Sequence, residues 1–233
     1  MKNALLVLMA MGLVASLGAA PAAQQVTGGD DLVEEKGPFA GTWIHPDANI
    51  MRFDKIVVWD AAFQFRDVDK PRNQGTTRGS MMQSTDDLDY PIADESRKKF
   101  EEVFVATFVK EFQNSKKFEV VDHAGPGTLI VRGGVLDIVS SVPPTASRST
   151  IFLSSLGEGT FVFEMIDSET GLMQARVAER RRIQADPNAM SPSGIPVNAN
   201  TVWSEVELWT RSVARDLRQA IDKAKKEAEK EAK

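Results

Sequence analysis

The feature that most constrains this chain is the stretch 128–184, which reads as three strands of one sheet. Phe161, Phe163 and Met165 alternate with Val162, Glu164 and Ile166, the period of a strand with two chemically different faces. Ser168, Glu169, Thr170 and Gly171 then turn the chain, and 172–178 returns. With 169–171 as a three-residue loop and Gly171 left-handed, Met165 faces Ala175, Phe163 faces Val177 and Glu164 faces Arg176. A cross-strand ion pair of that kind is worth about 0.2–1 kcal/mol. A one-residue slip would set Phe163 against Arg176, so the pattern selects one register.

The third strand, 128–139, carries an irregularity. Leu129 and Val131 share one parity, whereas Leu136 and Ile138 have the other. Gly133 and Gly134 between them predict a bulge that restores the inward direction. Two loops, 140–158 and 185–200, interrupt the unit. Because antiparallel strands alternate in direction, both leave at the end opposite the Gly171 turn. Loops on a rigid scaffold commonly carry function. Pro143, Pro144, Ile151, Phe152 and Leu153 in the first loop are therefore candidates for partner contact. Arg176, Arg180 and Arg182 share one strand face and join them, as a basic stripe open to an acidic partner or anionic lipid. The plainer reading of that stripe is a solvated outer face paired to Glu164 and Asp137.

The chain begins Met1, Lys2, Asn3, continues uncharged through 4–17, and reaches small residues at 18–23. This is the pattern of a secretory signal peptide, 1–22, cleaved after Ala22 or alternatively Ala23. Its apolar run is short of the roughly 20 residues that a spanning helix needs. The sequence has no cysteine, so neither a disulfide nor a lipid-modified cysteine is available. A periplasmic, soluble mature chain is expected. Loss of Lys2 would leave 27 basic against 33 acidic residues, a net charge of −6, which gives no support to nucleic-acid binding.

The remainder reads in order as a leader and strap, a single α/β domain over 49–222, and a charged tail. Residues 23–36 read as a mobile polar leader, and Phe39 and Trp43 as anchors of the strap that ends at 48. Residues 51–59 form the first strand. The polar stretch 66–91 is too long for an ordinary loop and is either mobile or functional. A helix capped by Asp94 or Ser96 then runs to about Ser115, with Phe100, Val103, Phe104, Thr107, Phe108 and Phe112 along one side. Residues 118–122 form a short strand. From about Val202, capped by Asn200 or Thr201, a second helix places Val206, Trp209, Val213, Leu217 and Ile221 on one face. Beyond Asp222, the segment 223–233 reads as a solvated helical tail with no apolar face.

The residues assemble no recognisable chemistry. His45 and His123 are the only histidines, and no second ligand stands at zinc spacing. Ser154 and Ser155 lack the nucleophile-elbow pattern, and no glycine-rich phosphate loop occurs. No catalytic residue, cofactor or metal is expected.

Gly41, Thr42 and Trp43, the segment 53–58, the strand 129–136, the hairpin 159–171, and the helix carrying Trp203 and Trp209 resemble an uncharacterised family of exported bacterial lipoproteins. The resemblance covers most of the mature chain as a loose pattern, without the lipobox cysteine. It implies an envelope location and no activity. The element order predicts an α+β fold: a two-layer α/β sandwich with a mostly antiparallel sheet of four to five strands and two helices on one face. That layout is similar to the periplasmic modules of the Tol translocation protein and the curli secretion channel, a likeness of fold alone. The expected role is a non-enzymatic periplasmic accessory protein that binds an envelope protein or anionic envelope component, with peripheral membrane contact and homo-oligomerisation both open. The alternatives are a small-ligand binder or hydrolase with 66–91 as its lid, or a self-assembling envelope subunit.

Overall fold

A computed structural model describes residues 27–68, 89–143, 151–184 and 194–232. The expected signal peptide, most of the 66–91 stretch and Pro144 lie outside them. The strands are β1 (Val33–Glu34), β2 (Gly41–Ile44), β3 (Lys55–Phe65), β4 (Glu119–Val120), β5 (Thr128–Ser140), β6 (Phe152–Leu153), β7 (Ser155–Asp167), β8 (Met173–Gln184) and β9 (Ile195–Pro196). The helices are α1 (Asp94–Phe112) and α2 (Ala199–Glu231). Seven strands form one sheet in the order β1-β2-β8-β7-β5-β3-β4, and β6 pairs with β9 apart from it.

The predicted hairpin register is the observed one: Phe163 pairs with Val177, Glu164 with Arg176 and Met165 with Ala175. Gly171 is left-handed at φ 71°. The turn is one residue longer than predicted. Asp167 and Leu172 close it, Asp167 Oδ1 accepts the Glu169 amide at 2.8 Å, and the register shifts between Met165 and Ile166. That shift frees Gln174, whose carbonyl accepts the His45 amide and whose side chain accepts the Asn49 amide, both at 2.9 Å.

The sheet exceeds the predicted four to five strands at both edges, and it is partly parallel. The segment read as a mobile leader and strap supplies β1 and β2, with β2 antiparallel to β8. Backbone pairing with an open edge holds it, a force that no local pattern reveals. On the other side β3 pairs in parallel with both β4 and β5, because α1 serves as the crossover. The predicted strand 51–59 begins later, since Ile50–Arg52 is a 3-10 turn, and runs on to Phe65.

The bulge in β5 also lies elsewhere. Pairing with β7 is unbroken through Gly133 and Gly134, and the register shifts between Leu136 and Val139. Asp137, at φ 55°, sits inside that shift. Leu136 consequently points outward at 36% exposure, while Ile138 and Val139 are buried. The glycines serve a different purpose. A Cβ on Gly134 would stand 1.8 Å from the Ala62 carbonyl oxygen, and one on Gly133 2.1 Å from that of Val162. They admit the close approach of β3 and β7, whereas the bulge is stabilised by arginines on the Asp137 carboxylate.

Both helices lie on one face, as expected. Their core with the sheet is a run of stacked and tilted rings: Phe108 with Phe163 at 5.0 Å, Phe161 with Trp209 at 4.5 Å, and Phe104 with Phe161 at 6.1 Å. Neither predicted cap is the observed one. Helix α1 begins after Ala93 with no side-chain cap, and Asn198 caps α2 by accepting the Thr201 amide at 3.0 Å. The tail, predicted to find no docking surface, continues α2 to Glu231. Lys225 is buried, donates to the Phe53 carbonyl and lies over the Phe118 ring, while Lys117 and Glu229 pair at 2.5 Å. A single amphipathic lysine docks where an apolar stripe would have been sought.

Candidate functional site

Three surfaces offer distinct chemistry: the loop end, the outer face of the sheet, and a trough beside α2. At the loop end the two interrupting loops do meet. Phe152 pairs with Pro196 and Leu153 with Ile195, and the Val197 amide donates to the Ile151 carbonyl at 2.8 Å. The four apolar candidates there that are described, Pro143, Ile151, Phe152 and Leu153, do not form one surface. Leu153 is wholly buried in the core, which corrects its reading as a partner contact: its parity within β6 turns it inward. Ile151 is half-buried against the core, and Phe152 stands 46% exposed. Pro143 lines a cavity of about 350 Å³ with Phe100, Val202, Trp203 and Trp209.

The outer face is a ladder of ion pairs. Glu164 accepts from Arg176 at 2.8 Å and from Arg132 at 2.9 Å. Asp137 accepts from Arg66 at 2.6 Å and Arg180 at 2.8 Å, and Glu158 from Arg180 at 2.5 Å and Arg182 at 2.7 Å. The Arg66 and Arg180 hydrogen bonds hold the Asp137 carboxyl far below its ordinary 3.8, and those from Arg180 and Arg182 lower Glu158 from 4.5 despite its partial desolvation. Every candidate arginine therefore already has a carboxylate partner. Both close carboxylates are held ionised, so neither is poised as a general acid near neutral pH.

The histidines stand apart from this face. His45 is buried, and its Nδ1 accepts the Asp47 amide at 3.0 Å. His123 is exposed in its turn. Among the described residues no group of three or more His, Cys, Asp or Glu side chains could hold a metal ion. No described helix is long and apolar enough to cross a membrane.

The trough follows from simple geometry. Seven strands span about 29 Å, and two packed helices cover about 20 Å of that width. The uncovered part lies over β8 and β2. There Leu129, Met165, Ala175, Val177, Thr42 and Ile44 form a floor, and Leu217, Ala220, Ile221 and Ala224 of α2 form one wall. Lys36, Gly37, Pro38 and Phe39, with Ala48 and Ile50, form the other wall. The volume is about 690 Å³, within the range of small-molecule sites. Thr42 pairs with the inward-facing Val177, so its side chain faces the helix layer. Its Oγ1 is buried with no hydrogen-bond partner, although the residue is only 8% exposed. A buried hydroxyl left without a partner costs about 1–3 kcal/mol unless something supplies one.

Sequence reasoning missed this trough. The one available signal was the fall in side-chain size along the α2 stripe, where Ala220 and Ala224 sit beside Leu217 and Ile221. Small residues on a helix face leave space, but only a neighbouring wall turns space into a site.

No protein-family model matches the chain, and no curated protein matches it in sequence. Among solved structures it is similar to the PelC dodecamer from Paraburkholderia phytofirmans, at 11% identity over 80% of this chain and 96% of that one, with a TM-score of 0.33. Protein XCC0632 from Xanthomonas campestris, of the DUF330 family, is similar at 11% identity over 79% and 93%, with a TM-score of 0.36. Protein CT253 from Chlamydia trachomatis follows at 8% identity over 72% and 98%, with a TM-score of 0.31. Likenesses this distant carry no role across to this chain.

Proposed function

We propose that this chain is an exported, non-enzymatic binding protein of the bacterial envelope that holds a small, largely apolar ligand in the trough between α2 and β2. The observation that carries the reading is the trough itself. It is a cleft of about 690 Å³ with an apolar floor and the polar Lys36, Thr42 and Gln174 among its lining residues. A few polar groups in an apolar cavity are what a ligand site requires. The signal-like N-terminus supports export, and fractionation of expressing cells tests it directly. For the trough, titration with the neutral apolar dye N-phenylnaphthylamine is the test. The wild type is expected to raise its fluorescence, and Ala220→Trp, which fills the wall, is expected to abolish that rise with an unchanged unfolding midpoint. Equal dye binding by a folded Ala220→Trp protein would refute the assignment.

A second reading rests on Phe152, an exposed aromatic on β6 where the two loops meet. It makes the loop end a docking point for an envelope protein. Because Leu153 and Leu156 are core residues, trimming 140–158 would unfold the chain, so Phe152→Ser is the fitting variant for periplasmic capture. Capture unchanged by that substitution would remove this reading.

A further inference from the structure

The charges on the rim of the trough sum to zero, but one of them stands without a partner among the described residues. Four charged residues line it: Lys36, Asp216, Lys223 and Glu227. Asp216 is held by Arg181 at 2.8 Å, and Lys223 and Glu227 pair at 3.7 Å one helical turn apart. Lys36 has no partner among the described residues. It adjoins Gly37, which packs against Thr42, and the Glu35 amide donates to the Thr42 carbonyl at 2.9 Å. Lys36 and Thr42 therefore lie on the same short stretch of wall and floor.

From this end the trough runs along α2 from Asp216 to Glu227, a rise of about 16 Å at 1.5 Å per residue. The far end is Ile50, Leu129 and Ala224, with no unpaired polar side chain. An occupant that satisfies both ends has one anionic head and a single narrow apolar chain. We infer that the trough takes an anionic amphiphile, its carboxylate or phosphate beside Lys36 and its alkyl chain over Met165 and Ala175. This rests on the trough being a ligand site at all. Alanines at 175, 220 and 224 leave width for a methylene chain, and a chain gains about 0.8 kcal/mol for each methylene it buries. Lys36 supplies selectivity rather than the bulk of affinity, because an exposed charge pair in water is weak and screened by salt.

The test uses the mature protein and four probes of equal chain length: decanoate, decyl phosphate, decanol and decylamine, each displacing the bound dye. The expected result is that decanoate or decyl phosphate competes about fivefold to tenfold better than decanol, with decylamine the weakest. Lys36→Glu, at an exposed position, is expected to erase that preference while leaving decanol competition unchanged. The tighter of the two anions identifies the head as carboxylate or phosphate. Equal competition by decanoate, decyl phosphate and decanol, unaltered in Lys36→Glu, would overturn the head-group assignment while leaving the trough a ligand site. Failure of all four probes to displace a dye that Ala220→Trp also fails to exclude would overturn both.

Discussion

Replacing Gly134 by alanine tests the account of the central sheet most sharply. Its Cβ would stand 1.8 Å from the Ala62 carbonyl oxygen, where ordinary contact begins at 3.4 Å. The three atoms nearest it are all backbone of Ala62, so no flexible side chain can yield and β3 and β5 would have to part by about 1.6 Å, the difference of those distances. A ladder bond of about 2.9 Å stretched by that much is no longer a hydrogen bond. The pairs Ala61 with Gly133, Ala62 with Gly134 and Phe63 with Val135 all lie within the disturbed span. At about 1 kcal/mol net for each of two or three lost bonds, plus loosened packing of Val135, the cost is about 2–4 kcal/mol. For a chain of this size, that lowers the melting temperature by about 4–16 °C. Gly125→Ala is the control. Nothing lies within 4 Å of its added methyl and its φ is not positive, so it should be neutral or stabilise by up to about 1 kcal/mol. Thermal and urea unfolding followed by circular dichroism reads both variants. Equal stability of the two would mean that the glycine pair is a mere flexible link, and the close-approach argument would fail.

Three further outcomes are expected. Arg180→Leu removes the guanidinium shared by Asp137 and Glu158 and should cost about 0.5–2 kcal/mol, less in high salt, as measured by urea unfolding at two ionic strengths. Because both carboxyls have folded values below their ordinary 3.8 and 4.5, their contribution is complete above those values and is lost as pH falls beneath them. Wild-type stability should therefore drop below about pH 4 more steeply than that of Arg180→Leu. Lys225→Ala removes the buried anchor of the α2 tail and should cost about 1–3 kcal/mol, with faster amide exchange confined to 223–231. Burial lowers the Lys225 ammonium from its ordinary 10.5, so the unfolded chain binds the proton more tightly and this residue's contribution improves as pH rises toward that value. Leu153→Ala should cost about 2–5 kcal/mol and Phe152→Ser under about 1 kcal/mol, read by calorimetry, because one side chain lies in the core and its neighbour in solvent.

What could be read without coordinates was whatever depends on residues close in sequence. The alternation of Phe161, Phe163 and Met165 and the glycine at 171 selected the hairpin register, since a strand's period and a turn's handedness are local properties. The phenylalanines of α1 and the Val206-to-Ile221 face of α2 predicted which sides of the helices are buried for the same reason. Tertiary structure alone decided that residues 33–44 pair with the sheet edge and that β3 and β5 run parallel. It also decided that the extra residue of β5 is Asp137. Backbone pairing leaves no pattern in side chains, and a bulge settles where distant arginines can hold a carboxylate. The trough belongs wholly to that second class. Its floor comes from β2, β5, β7 and β8 and its walls from α2 and the N-terminal arm, from Lys36 at one extreme of the sequence to Glu227 at the other. Each wall residue is unremarkable in sequence, and a cavity exists only where two surfaces fail to meet.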